Sequence, residues 1–209
     1  MKSEKLKSND LQNVWSNFKE GNFASLGILF ETHYQELFYY GNKIVALPEL
    51  VKDTIQDLFI DVWERRGKIA TVENIKAYLI ISLRRELIRR IAKIRKENLP
   101  ESALSLQFSF SPEDFLISSE QNTEHTALLS KSLESLTDRQ REVILLRFYH
   151  NLEFQEISLV LEMNIQSVRN LLFRALDKIR KDLAIQGIIG IENVENVEMF
   201  LWLVFGQKK

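Results

Sequence analysis

Apolar residues recur along most of this chain at steps of three and four, the spacing of one face of an α-helix. After Pro48, the residues Val51, Ile55, Leu58, Phe59, Val62 and Trp63 follow at steps of 4, 3, 1, 3 and 1. Pro48 suits the first turn of that helix, where a backbone N–H has no helical partner anyway. Gly67 suits its end. Upstream, the pattern predicts helices over Asn13–Lys19 and Phe23–Val45, the second rich in aromatics (Phe30, Tyr34, Phe38, Tyr39). Downstream, Tyr78, Leu79, Leu83, Leu87, Ile91 and Ile94 mark another helix. Thr71 is placed to cap it, with Asn74 three residues on.

Between residues 97 and 123 the helical period disappears. Pro100, Pro112 and six serines interrupt it, which predicts a linker between two helical domains. Leu104, Leu106, Phe108 and Phe110 alternate as a strand would, but no partner strand is visible in the sequence. From about Glu124 the helical period resumes. Thr137, with Gln140 three residues later, forms a capping box before the apolar face of Val143, Ile144, Leu146 and Phe148. Asn151 marks a turn. Phe154–Leu161 reads as a short helix and Glu162, Met163 and Asn164 as a tight turn. Asn164 then caps a longer helix over residues 165–181. Ile157, Leu161, Val168 and Leu172 supply a small core between the two helices, which together read as a helix-turn-helix. The last stretch is mostly apolar and suits a short helix packed on the domain.

The predicted fold class is therefore all-α, with two small helical domains joined by a flexible linker. The divisions are residues 1–96, a linker over 97–123, a helix-turn-helix domain over 124–186, and an apolar C-terminal tail over 187–209.

Composition narrows the chemistry. Of 209 residues, 45% are hydrophobic and 27% charged, which excludes a wholly disordered chain. The absence of cysteine excludes disulfides, zinc–thiolate sites, iron–sulfur clusters and a cysteine nucleophile. No glycine lies between Gly67 and Gly187, so that stretch holds no glycine-rich phosphate loop. His33, His125 and His150 are too far apart in sequence to suggest a metal site. No metal, cofactor, small-molecule substrate or catalytic residue is expected, and the chain reads as a non-enzyme. Met1–Asp10 is polar and lysine-rich, unlike a secretory signal. No apolar run approaches the ~20 residues of a membrane span. A cytoplasmic location is expected.

Charge changes the picture further. The formal net charge is only −1, yet the signs are segregated. Glu49, Asp53, Asp57, Asp61 and Glu64 form an acidic stripe beside the apolar one, either a solvated face or a contact for a basic partner. Arg65 to Lys96 carries eleven basic residues against two acids, Glu73 and Glu86. Within it Arg85, Arg89, Lys93 and Lys96 share a helical face, the electrostatic footprint of nucleic-acid binding. Tyr78, near the start of this helix, has the ring needed to stack on an unpaired base. Trp63 lies on the apolar stripe and suits the core. In the helix-turn-helix, the second helix would lead into a major groove with Gln166, Ser167, Arg169, Asn170, Phe173 and Arg174. Arg can read guanine, and Asn or Gln adenine, through paired hydrogen bonds. Lys178, Arg180 and Lys181 suit phosphate contact or a solvated face.

These residues carry a family resemblance. The chain resembles the extracytoplasmic-function group of bacterial RNA polymerase sigma factors. Leu136-Thr-Asp-Arg-Gln-Arg-Glu-Val143 is similar to the start of sigma region four. Phe154-Gln-Glu-Ile-Ser158 and Ser167-Val-Arg-Asn-Leu-Leu-Phe-Arg-Ala175 resemble its helix-turn-helix. Asp53-Thr-Ile-Gln-Asp-Leu-Phe59, with Val62 and Trp63, resembles the polymerase-binding part of region two. Ala77-Tyr-Leu79 and the arginine-rich helix after it resemble the promoter-melting part.

The resemblance implies that Asp53, Gln56 and Asp57 contact the coiled-coil clamp helices of core RNA polymerase. It implies that Tyr78, Arg84, Arg85, Arg89 and Lys93 hold opened promoter DNA, and that the recognition helix reads the element near minus thirty-five. The linker would thread through the polymerase. The family commonly operates with a membrane-bound anti-sigma protein that sequesters the two domains. Three departures stand out: Glu162 where the family turn usually has Gly, Leu171 where it often has Arg, and Arg85 and Arg89 where Asn and Asp or Asn are frequent. The competing reading is a helix-turn-helix regulator that acts without being a polymerase subunit.

Overall fold

A chain with this periodicity buries one face of each helix against its neighbours. The computed structural model describes residues 8–70, 72–96, 123–185 and 193–206, and among them no strand occurs. They form two compact units. The linker over 97–122, with its alternating Leu104–Phe110 stretch, lies outside the described residues.

Among the described residues the first unit contains four α-helices. α1 (Ser8–Lys19) ends at Gly21, whose φ of +95° lets the chain turn left-handed while its N–H donates to the Phe18 carbonyl at 3.0 Å. Asn22 then caps α2 (Phe23–Ile44), its side-chain oxygen accepting the Ser25 N–H at 3.2 Å. α3 (Pro48–Arg65) begins at Pro48 as expected and passes into a 3₁₀ turn over Arg66–Lys68, so Gly67 sits inside that turn. α4 (Ile75–Lys96) is capped by Asn74, whose side chain accepts the Ala77 N–H at 3.1 Å. This corrects the expected cap at Thr71, which lies outside the described residues. A cap must stand one residue before the first helical one to reach the orphan N–H groups, and Ile75 is that first residue.

The core of the unit joins Trp15 and Phe18 of α1 to Leu29, Leu37 and Tyr40 of α2, Val51, Ile55 and Val62 of α3, and Leu79, Leu83 and Leu87 of α4. Each such side chain contributes about 1.5–3 kcal/mol by leaving water. α2 and α3 approach closely at Gly41, where a Cβ would fall 2.5 Å from Val51 Cγ1. Only glycine permits that crossing.

The second unit contains α5 (Thr123–Glu134), α6 (Asp138–Ile144), α7 (Phe154–Leu161), α8 (Ile165–Ile185) and α9 (Val194–Gly206). α8 is its axis and packs against the other four. The Thr137–Gln140 capping box forms as the sequence predicts. The helix it opens does not stay regular, however. Leu145–Tyr149 is a π-turn, in which the His150 N–H reaches back to the Leu145 carbonyl at 3.0 Å.

α7 has a second capping box, between Glu153 and Glu156. The turn to α8 passes through Glu162 in the left-handed region, at φ +54° and ψ +46°. A non-glycine residue thus holds the left-handed conformation that glycine adopts at least cost. Asn164 caps α8 through the Ser167 N–H at 2.7 Å. Ile157, Leu161, Val168 and Leu172 are all buried, as the pattern requires. α9 covers α8 and the π-turn with Val197, Leu201, Val204 and Phe205, each almost wholly buried.

Candidate functional site

On the first unit, α3 and α4 border an open cleft of about 850 Å³, lined by Asp57, Lys68, Tyr78, Arg85, Glu86 and Arg90 among others. α3 presents Asp53, Gln56 and Asp57 to solvent. Much of the acidic stripe is engaged internally. Glu49 pairs with Lys52 at 2.7 Å, Asp61 with Arg65, and Asp57 with Arg90 of α4 at 2.5 Å. The Asp57 side chain nevertheless remains 57% exposed, so a partner can reach it.

The basic helix is likewise not a bare row of cations. Glu86 accepts both arms of Arg89, at 2.7 and 2.8 Å, and the Arg90 Nε at 2.7 Å. These bonds, that of Arg89 foremost, hold its carboxyl down to about 2, so it is ionised at any physiological pH. Of the five expected melting-helix residues, Arg85, Arg89 and Lys93 are exposed, and Tyr78 is half-buried with its ring 5.8 Å from that of Trp15. Arg84 is the correction. It is 3% exposed and lies inside the unit. Helical geometry explains this, because position 84 shares the face of Ile80, Leu87 and Ile91, all buried. Trp63 is half-buried, ringed by Phe18, Phe23 and the Arg66 guanidinium, the last 4.2 Å from its centroid.

On the second unit, the first half of α8 carries the expected readers. Gln166, Arg169, Asn170, Phe173 and Arg174 are exposed, and Ser167 is half-buried. Gln166 donates its amide to the Asn170 side-chain oxygen at 3.2 Å. Arg169 lies over the Phe154 ring at 5.3 Å. Phe173 is 59% exposed, so its ring is open to a ligand. No acid occupies the first turn of the helix.

The far end of α8 differs. Arg180 and Lys181 pair with Asp177 at 2.9 and 2.7 Å, and Lys178 donates to the Ser135 carbonyl. Lys181 and then Arg180 lower the Asp177 carboxyl below its usual range. These three cations are tied into their own unit, which the sequence did not reveal. Nor did it reveal the Asp57–Arg90 pair, which spans 33 residues and two helices.

Among the described residues no cluster of His, Asp or Glu is placed to hold a metal ion, and no helix is long and apolar enough to cross a membrane.

Comparison with known proteins places both units. The model of sigma-70 region 2 matches residues 29–97 and that of sigma-70 region 4 matches residues 126–179, together more than half of the chain. An RNA polymerase sigma-E factor of Streptomyces avermitilis is 27% identical over 157 residues, 73% of this chain and 81% of that protein. The ECF RNA polymerase sigma-E factor of Escherichia coli K12 is 28% identical, covering 67% and 80% of the two chains. The sigma factor RpoE of Bartonella quintana, solved with the anti-sigma factor NepR, shares the fold at 17% identity, with a TM-score of 0.54 and coverage of 75% and 94%. With the two regions matched in order on two separate units, the chain belongs to the extracytoplasmic-function group of the sigma-70 family, the factors through which core RNA polymerase initiates transcription at chosen promoters.

Proposed function

We propose that the three surfaces divide the work of initiation. α3 holds core polymerase through Asp53, Gln56 and Asp57. α4 stabilises opened promoter strands through Tyr78, Arg85, Arg89 and Lys93. α8 reads the upstream element through Gln166, Ser167, Arg169, Asn170, Phe173 and Arg174. In this reading residues 1–96 are the polymerase-binding and melting domain, 97–123 the connection, 124–186 the reader and 187–209 an apolar tail, whose helix α9 packs on α8. The chain performs no catalysis of its own; the polymerase does the chemistry. It works in the cytoplasm, at the nucleoid through the polymerase. An anti-sigma protein is proposed as a further partner. That is supported by the Bartonella relative's complex and by an apolar groove between α2 and α3, where Phe23 is 71% and Ile60 57% exposed.

The observation that carries this reading is the exposed first half of α8, opposite in character to its own paired far end. Each bidentate contact to a base edge discriminates by about 1–3 kcal/mol. Extruding a base costs a few kcal/mol, and stacking on a ring such as Tyr78 returns about 1–3 kcal/mol. Phosphate neutralisation by the α4 cations supplies a salt-dependent remainder.

Co-purification with bacterial core polymerase tests the α3 assignment. The tagged chain is expected to retain core, and the Asp53→Lys/Asp57→Lys variant to lose it at least a hundredfold, since reversal places like charges against a basic partner. Retention of core by the variant would remove α3 from the interface.

A further inference from the structure

α9 lies beyond the region-4 match, which stops at residue 179, yet it is bound into the helix-turn-helix by more than apolar packing. Trp202 of α9 meets Phe148 edge-on, with centroids 5.1 Å apart. The Arg147 guanidinium lies 5.5 Å from the Trp202 centroid and 5.1 Å from that of Phe154, the first residue of α7. Phe154 in turn carries the Arg169 guanidinium at 5.3 Å. Arg147 also donates to the Leu152 carbonyl at 3.0 Å and lies 3.4 Å from the carboxylate of Glu153, the cap of α7. One line of rings and guanidinium groups thus runs from the C-terminal helix to an exposed side chain of α8. The π-turn puts Arg147 in that line.

We infer that α9 is a positioning element for promoter reading: Trp202 orders Arg147, and Arg147 with Phe154 sets the direction in which Arg169 leaves α8. The inference rests on α8 being the recognition helix. Its physical basis is ordering. A long arginine side chain has many rotamers, and fixing one before binding spares that entropy at the moment of base contact. An aromatic face attracts a guanidinium without taking up its hydrogen-bond donors, which stay available to a base edge. An acid in the place of Phe154 would also hold Arg169, but would compete with the DNA for it.

The test uses the full chain assembled with core polymerase, on a promoter recovered by run-off transcription from genomic fragments. Trp202→Leu keeps an apolar contact with Phe148 and loses the π face. It is expected to lower transcription at limiting holoenzyme about three- to fivefold, the scale of a half-exposed cation–π contact. Trp202→Phe is expected to restore most of the loss. In an Arg169→Ala background Trp202→Leu is expected to cost nothing further, because its effect passes through Arg169. Arg147→Lys keeps the charge beside Glu153 without the planar group and gives the same pattern, which covers the case of a Trp202 variant that does not fold. A loss that persists in the Arg169→Ala background and tracks the melting temperature would show a structural role alone and overturn the inference. So would the absence of any loss. If Arg169→Ala itself leaves discrimination between matched and mismatched promoters intact, the recognition reading fails first, separately from the brace.

Discussion

α4 and α8 are both basic helices, and they hold their charge in opposite ways. In α4 the acid lies within the arginine row: Glu86 binds Arg89 and Arg90, and Asp57 of α3 binds Arg90 from the side. In α8 the acid stands apart, with Asp177 collecting the cations of the far end and leaving the first half of the helix to solvent. A phosphate arriving at α4 must compete with Glu86 for Arg89. A base arriving at α8 meets Arg169 already over a ring and a Gln166–Asn170 pair already aligned. Charge counting overstates the field of α4 and says nothing of the order in α8. The difference suits the roles proposed for the two helices, α4 to grip strands once they are opened and α8 to discriminate at first contact.

The largest expected effect that sharpens this contrast lies under α4. His33 of α2 is buried against Glu36 and Lys76, and burial draws its imidazole down to about 4. The unfolded chain takes up this proton as pH falls below ~6.5, and the folded chain does not until about 4. Stability of the first unit is therefore full above that upper value and falls as pH drops through the window, by about 2 kcal/mol between pH 7.5 and 5. Urea titrations at the two pH values measure it. His33→Gln is expected to flatten the difference, and an undiminished difference would assign it elsewhere.

Next in size is Glu86→Gln, which releases Arg89 and Arg90 from their shared acid. Affinity for a single-stranded oligonucleotide is expected to rise severalfold, and its log–log salt slope to steepen by about 1. Unfolding stability should change by less than ~1 kcal/mol, as for other surface pairs. An unchanged slope would mean that the ion pairs do not restrain the α4 arginines. The smallest effect belongs to the second unit. Glu162 adopts a left-handed backbone at a cost of about 1–2 kcal/mol, partly offset in a glycine by its freer unfolded chain. Glu162→Gly is expected to stabilise the second unit by about 0.5–1 kcal/mol, read by thermal melting, with no change in promoter choice.

Much of this architecture is legible in the residues. The helix periods, the Thr137–Gln140 box, the Asn164 cap and the four-residue core of the helix-turn-helix each arise from local rules acting within one or two turns. The exposed face of the first half of α8 was legible too, because Val168 and Leu172 turn inward and leave Gln166, Arg169, Asn170, Phe173 and Arg174 on the other side. What escaped is tertiary. Arg84 counts as one more cation in a basic run until the packing of Ile80 and Leu87 turns it inward. Asp57 finds Arg90 only when α3 and α4 lie side by side. The π-turn at Leu145–Tyr149 leaves no periodic mark, and without it Arg147 cannot be seen to join Trp202 to the helix-turn-helix. At Thr71 the rule was right and the position wrong, since Asn74 is three residues further along and carries an equally good capping side chain.

The most direct test of the central claim is run-off transcription on genomic fragments with purified core polymerase, with and without this chain. The account predicts discrete new start sites that require both, each preceded by a common upstream element. Sequence-specific DNA binding by the chain without core, and no new start sites with it, would contradict the account and leave a helix-turn-helix regulator in its place.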